Sequence, residues 1–274
     1  MTDERIPDRK RAGTYLFVRP KTARRPRVKP AADASGPETG DSSDSETGRD
    51  ENFAPRSTRL RYRRPRLAPE ALDGRLVFFV SPDAGAAEQY RQVAEVLVRD
   101  KTAPRRLWVA GATLGVGATL TAANLGCALT EHGRVTLVDA ASTKARRTLS
   151  SLFGIRPTPG GSLTGETLDL WLLSDRLALL ADAHLLPLTP ERQETLRTVA
   201  AAADFVLLDG PALDDVEAVA AMKAAVDAVL LVLRPADLGT GRYERALDRL
   251  QGFRIAGVML NGAADAEEVL RANP

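Results

Sequence analysis

The sequence predicts an α/β domain, a mostly parallel central sheet with helices on both faces, behind a charged tail. Three observations carry this. From Gly74 onward, apolar runs of five or six residues alternate with longer stretches whose apolar residues recur at helical spacing. The runs are rich in Val and Leu and lack polar alternation, as expected of strands buried on both faces. Between Val109 and Gly126 the chain reads VAGATLGVGATLTAANLG, a glycine loop joining an apolar run to a helix-like run.

In order, residues 1–70 are expected to form a disordered, charge-segregated tail and residues 71–274 the folded domain. Residues 1–30 carry about +7, residues 31–52 about −6 and residues 53–70 about +5, which leaves the domain near −4. The acidic string PETGDSSDSETGRDEN has too few apolar residues to offset its own ordering entropy. One apolar island interrupts the tail at Thr14–Val18. It is either an incidental cluster or a short strand that docks on a partner or on the chain's own domain.

In the domain, Arg75–Val80 (RLVFFV) reads as a strand and Ala86–Asp100 as an amphipathic helix. Arg106–Ala110 is a strand feeding the loop, and TLTAANLGCALTEHG is the helix after it. Val135–Ala140 is the next strand, RRTLSSLF a short helix, and a glycine-rich turn follows Gly154. Leu177–Asp182 is a strand, and PERQETLRTVAAAA a helix with Pro190 near its first turn. Further strands are Phe205–Gly210, Ala228–Pro235 and Arg254–Leu260, with helices at Leu213–Ala225 and Gly241–Leu250 between them.

Ligands of such sheets bind at the carboxyl ends of the strands, where the glycine loop, Asp139, Asp209 and Asn261 all fall. The loop follows the strand–GxxxxGK[ST]–helix pattern, in which glycines let backbone N–H groups surround phosphate oxygens. In that pattern a lysine neutralises the outer phosphates and a Ser/Thr hydroxyl reaches Mg²⁺. Here Gly111, Gly115, Gly117 and Thr119 are present, but Ala118 stands in the lysine position. Lys101, Lys144 and Lys223 are the only lysines in the domain, and none lies at the loop. Losing that contact should cost about 2–4 kcal/mol by analogy with truncating a desolvated charge pair, a factor of tens to hundreds in affinity.

The chemistry of other classes is missing from the string. Cys127 is a single cysteine, read as a small buried hydrophobe, and gives neither a disulfide nor a zinc pattern. His132 and His184 lack metal-ligand spacing. The N-terminal MTDERIPDRKR has no apolar core of a signal peptide, and no apolar stretch of about 18 residues occurs, so a cytoplasmic protein is expected. The domain is not basic, so no nucleic-acid partner is expected.

Taken in order, these strings resemble the P-loop domain of bacterial tyrosine kinases (BY-kinases) of capsule and exopolysaccharide assembly, relatives of Min- and Par-type ATPases. The likeness spans roughly residues 75–265. It implies a P-loop NTPase-like fold of the SIMIBI type and ATP or ADP with Mg²⁺ as the ligand. GATLGVGATLTAANLG corresponds to the Walker A region, VTLVDA to Walker A′ and FVLLDGPAL to Walker B. The resemblance places nucleotide contacts at Gly115, Val116, Gly117, Ala118, Thr119, Leu120 and Asn261, and a Mg²⁺ site at Thr119, Asp139 and Asp209. Each has a plainer alternative: Thr119 as a helix cap, Asp139 and Asp209 as caps of neighbouring helices, Asn261 as a turn residue before Gly262.

Departures from the family pattern fall on the chemistry. Ala118 replaces the lysine, Ala141 and Thr143 replace the second aspartate and the arginine of Walker A′, and Pro211 sits one residue early. The ring-assembly motif ExxRxxR becomes Glu88, Arg91 and Ala94, which implies weakened self-association. A C-terminal tyrosine cluster is absent; Tyr15, Tyr62, Tyr90 and Tyr243 are scattered. The expected protein is therefore a catalytically degenerate regulator or scaffold, and the implied partner is a membrane-embedded polysaccharide chain-length regulator or export component. Two alternatives stand beside it. One is an active ATPase or tyrosine autokinase with a rearranged site; the other is a Min/Par-type positioning protein, for which AEEVLRANP is a short, acidic terminus.

Overall fold

In the computed structural model the strands are Tyr15–Val18 (β1), Arg59–Arg63 (β2), Arg106–Gly111 (β3), Val135–Asp139 (β4), Thr167–Leu172 (β5), Leu177–Leu180 (β6), Phe205–Asp209 (β7), Ala228–Leu233 (β8) and Ile255–Asn261 (β9). The helices are Val77–Val80 (α1), Gly85–Arg99 (α2), Ala118–Leu129 (α3), Leu149–Leu152 (α4), Pro190–Ala202 (α5), Val216–Met222 (α6) and Arg242–Arg249 (α7). The structure describes residues 59–99, 104–140, 147–156, 167–181, 186 and 188–262, and the backbone of 15–18. The acidic tail string, Lys101, Ala141, Thr143, Lys144, His184 and the C-terminal AEEVLRANP lie outside the described residues.

Among the described residues the strands form one nine-stranded sheet, in the order β1–β9–β8–β3–β7–β4–β6–β5–β2. The centre, from β9 to β6, is parallel throughout. β5 joins β6 antiparallel, β2 joins β5 parallel, and β1 closes the other edge antiparallel to β9. Alternation along each strand sorts the core into two layers. Leu107, Val109, Leu137, Leu230 and Val232 pack toward α2, α3 and α4. Trp108, Ala110, Val138, Leu208 and Leu231 pack toward α5, α6 and α7. Both layers are apolar, so the central strands carry no polar face, as their sequence requires.

Three expectations change. RLVFFV is not a strand: its last four residues form α1, and the side chain of Asn124 takes backbone groups at its start. Asn124 Oδ1 accepts from the Val77 N–H at 3.0 Å, and Asn124 Nδ2 donates to the Arg75 carbonyl at 3.0 Å. The second change is the tail boundary at residue 70, since Arg59–Arg63 belongs to the sheet as edge strand β2. Its arginines are tied there by charge: Asp169 on β5 accepts from Arg61 at 2.5 and 2.9 Å and pairs with Arg63 at 2.8 Å. Third, TLDLWL forms β5, within a stretch that the sequence marks only as following a turn. The apolar island pairs with the chain's own sheet, Tyr15 opposite Asn261 and Val18 opposite Val258.

Candidate functional site

The glycine loop leaves the carboxyl end of β3 at Gly111 and enters α3 at Ala118. Two positive backbone angles shape it, φ 81° at Gly115 and φ 97° at Gly117, in the region that only glycine adopts cheaply. Gly111 is required for space: a Cβ there would meet the Val116 side chain at 2.8 Å and the Thr113 carbonyl at 2.9 Å. Val116 is buried beneath the loop, and Leu114 stands exposed at its apex. Asn261, at the end of β9, donates from Nδ2 to the Val116 carbonyl at 2.7 Å. The loop is thus pinned from the sheet, and the Asn261 side chain is committed to backbone.

A cleft of about 500 Å³ opens beside the loop, lined by Gly115, Ala118, Thr119, Asp209, Arg75 and Arg147 among others. Ala118 presents only a methyl group to it. Asp209 ends β7 directly opposite Asp139 on β4, and it is 1% exposed. The nearby Thr119 hydroxyl favours its ionised form, while Oδ2 has no hydrogen-bond partner. Burial first, and the neighbouring Asp139 second, push the Asp209 carboxyl well above its ordinary range.

Asp139 has another employment. Its Oδ2 accepts from the Ser150 N–H at 3.0 Å and the Ser150 hydroxyl at 2.8 Å, with Thr148 and Leu149 close by. It therefore holds the first turn of α4 from the sheet, beside that helix's own N-cap, Thr148, close to the plainer of the two readings of that residue. Burial raises its carboxyl, and those hydrogen bonds pull it back.

Two cations that the sequence pattern does not single out converge on the cleft. Arg75 pairs with Asp73 through Nε and Nη2, both at 2.9 Å. Arg147 pairs with the same carboxylate. The pair of arginines holds Asp73 ionised, below its usual range. Two local features bring them in: Asn124 holds the backbone at Arg75, and the Asp73 N–H donates to Leu152 of α4 at 2.9 Å. A search confined to lysines passes over both, and a strand over RLVFFV would place Arg75 in the sheet. Lys223 lies against Gly252, before the start of β9 and away from the loop.

The positions that the resemblance assigns to ring assembly are also placed. Ala94 is fully buried in the core, so an arginine there would have to enter the packing between α2 and the sheet. Arg91 is held within the chain by Glu131 at 2.8 Å and lies 5.2 Å over the Phe78 ring. Cys127 is buried, its thiol pushed up to about 12 by burial, and acts as core. His132 is exposed.

The residues present fit a nucleotide's phosphates. The loop offers backbone N–H groups at the start of a twelve-residue helix, and the unpartnered Asp209 Oδ2 beside the Thr119 hydroxyl matches one side of a Mg²⁺ shell. Among the described residues no three His, Cys, Asp or Glu side chains are grouped to hold a metal. A Mg²⁺ ion here would therefore lean on phosphate oxygens, its usual habit.

Strand order, loop and cleft together define a P-loop NTPase-like fold. Known structures of bacterial tyrosine kinase domains share it. The BceF tyrosine kinase domain is 21% identical, with a TM-score of 0.52 over 68% of this chain and 81% of that one. The VpsO kinase domain is 20% identical, with a TM-score of 0.55 over 64% of this chain and 95% of that one. The kinase domain of Escherichia coli tyrosine kinase ETK is 21% identical, with a TM-score of 0.50 over 68% and 79%. At this identity the likeness is one of fold. No protein-family model matches the sequence, and no curated protein shows significant similarity to it. Among the described residues no helix is long and apolar enough to cross a membrane.

Proposed function

We propose that this chain is a catalytically degenerate P-loop protein, a regulator or scaffold of bacterial exopolysaccharide and cell-envelope assembly. It would act on the cytoplasmic side, recruited to the membrane by a chain-length regulator or export component. The observation that carries the reading is Ala118: the loop keeps its glycine geometry and its cleft, yet the lysine position holds a methyl group. A phosphoryl-transfer site works almost wholly by positioning and charge stabilisation, so this loss falls on catalysis first. The commitment of Asp139 to Ser150 and of Arg91 to Glu131 points the same way. The pathway and partner rest on the tyrosine kinase domains with which the chain shares its fold.

In this reading a nucleotide is held and not consumed. Thr119 and Asp209 would hold Mg²⁺, which would supply charge neutralisation at the phosphates. Gly115–Ala118 would give backbone donors. Incubation of the purified full chain with Mg-ATP should give neither phosphate release nor phosphotyrosine above a blank. Turnover that disappears in Asp209→Ala would overturn the proposal.

A further inference from the structure

We infer that Arg147 and Arg75, tethered side by side by Asp73, take the place of the missing loop lysine and bind the outer phosphates of a nucleoside di- or triphosphate. This rests on the reading of the cleft as a retained phosphate cradle and names its ligand class and its cation.

Four observations meet here. Both arginines line the same cleft as Gly115, Gly117, Ala118 and Thr119. They arrive from outside the loop, one before α1 and one before α4, and Asp73 fixes them together. Two guanidinium groups meet at the Asp73 carboxylate, beside a loop that has no cation of its own. Asp209 lies on the wall of that cleft, 1% exposed, with Oδ2 lacking any hydrogen-bond partner. A buried carboxylate oxygen in a phosphate cradle is accounted for by the divalent cation that travels with the phosphates. The loop, its cationic side and its metal side thus describe one ligand, an anion bearing Mg²⁺.

The chemistry differs from that of the lysine. A lysine in the loop is a point charge at one phosphate, whereas planar guanidinium groups give bidentate contacts. Arg147 pairs with Asp73 through Nη1 alone, so its remaining N–H donors can reach phosphate oxygens without releasing the tether. Contact at the outer end of the phosphate chain makes affinity depend on phosphate number.

Calorimetric titration of the full chain with ATP, ADP and AMP in Mg²⁺ tests this. ATP and ADP should bind, and AMP should bind at least about tenfold more weakly. Arg147→Gln should weaken ATP about ten- to hundredfold, as expected for truncating one partner of a charge pair, with Arg75→Gln acting in the same direction. The side chains of Arg147 and Arg75 are 60% and 55% exposed, so the variants should fold, which a thermal melt checks. Arg147→Lys should recover part of the loss, and Ala118→Lys in the doubly substituted chain should restore binding.

Equal ATP affinity in the wild type, Arg147→Gln and Arg75→Gln would sink the inference, as would AMP binding as well as ATP. If the wild type binds no nucleotide but Ala118→Lys does, the arginines do not substitute and the inference fails, while the non-catalytic reading stands. ATP turnover that falls with the arginine substitutions would do the reverse, overturning that reading and supporting the arginines.

Discussion

Asn124 Nδ2 donates to the main-chain carbonyl of Arg75 at 3.0 Å, while its Oδ1 accepts from the Val77 N–H at the same distance. One buried amide on α3 therefore replaces the ladder that a strand would have provided. It also sets where the Arg75 side chain begins, at the edge of the cleft. The helix that starts at the glycine loop thus positions a cation for that loop.

Asn124→Ala would remove the side-chain partner of two main-chain groups. Their desolvation should lower the unfolding free energy by about 2–4 kcal/mol, seen as a lower urea midpoint at unchanged slope. Nucleotide affinity should fall with it if Arg75 depends on this anchor. An unchanged midpoint would mean that the segment before α1 is held by other contacts.

Asp209 should make stability fall as pH rises. Its carboxyl in the folded chain lies well above the ordinary 3.8, pushed there by burial and then by Asp139. The folded state therefore binds the proton more tightly than the unfolded chain does. Its stabilisation is complete below the ordinary value and lost as pH rises through the raised one. Asp209→Asn keeps the shape without the charge, so it should raise the urea midpoint at about pH 7 and flatten the pH slope. Asp139, raised in the same direction, accounts for the slope that remains. A lower midpoint in Asp209→Asn would contradict this.

Asp139 and Asp209 should separate in their effects. Asp139→Ala leaves the Ser150 N–H and hydroxyl without their acceptor and should cost about 1–3 kcal/mol, with Ser150→Ala costing less because the Ser150 N–H bond survives. Neither should change Mg-nucleotide affinity by more than about twofold, whereas Asp209→Asn should weaken it severalfold or more. Parallel calorimetry and denaturation would expose the opposite pattern, which would return Asp139 to the metal.

Gly117 and Asn261 should couple. A Cβ at Gly117 would sit 1.9 Å from Asn261 Nδ2, at a backbone φ of 97°. Gly117→Ala should be strongly destabilising, and Asn261→Ala only mildly so, through loss of the bond to Val116. The double variant should be more stable than the sum of the singles predicts, because the clash is gone while the backbone strain remains. Additive losses in a double-mutant cycle would mean that the loop moves away from β9.

Removing residues 1–18 should uncover the β9 edge, since β1 pairs along it from Asn261 to Val258. An open edge is a template for another strand. The truncated chain should show concentration-dependent association by analytical ultracentrifugation where the full chain does not. A monodisperse truncated chain would argue that the edge is covered in another way.

Much of the fold can be read along the chain because its signals are local. Uninterrupted Val/Leu runs such as Ala228–Leu233 mark strands buried on both faces, and the spacing of Gly111, Gly115 and Gly117 marks a loop whose backbone needs positive φ. The absence of lysine at Ala118 is equally plain. Periodicity does not decide the short apolar runs: RLVFFV satisfies a strand and a helix alike. Edge strand β2 is hidden because RLRYR reads as a charged tail until Asp169 is brought opposite Arg61.

The sequence by itself determined which residue types stand at the loop and the order of the elements, since both depend on residue identity and short-range spacing. Only the tertiary structure decided which groups meet. It turned Asp139 onto Ser150, left Asp209 Oδ2 alone, buried Ala94, and drew Arg75 and Arg147 to one carboxylate at the cleft. Arg75 and Arg147 are separated by more than seventy residues, and no local pattern encodes their approach. It follows from the packing of α1 and α4 beside α3, where burial penalises any polar group left unpaired.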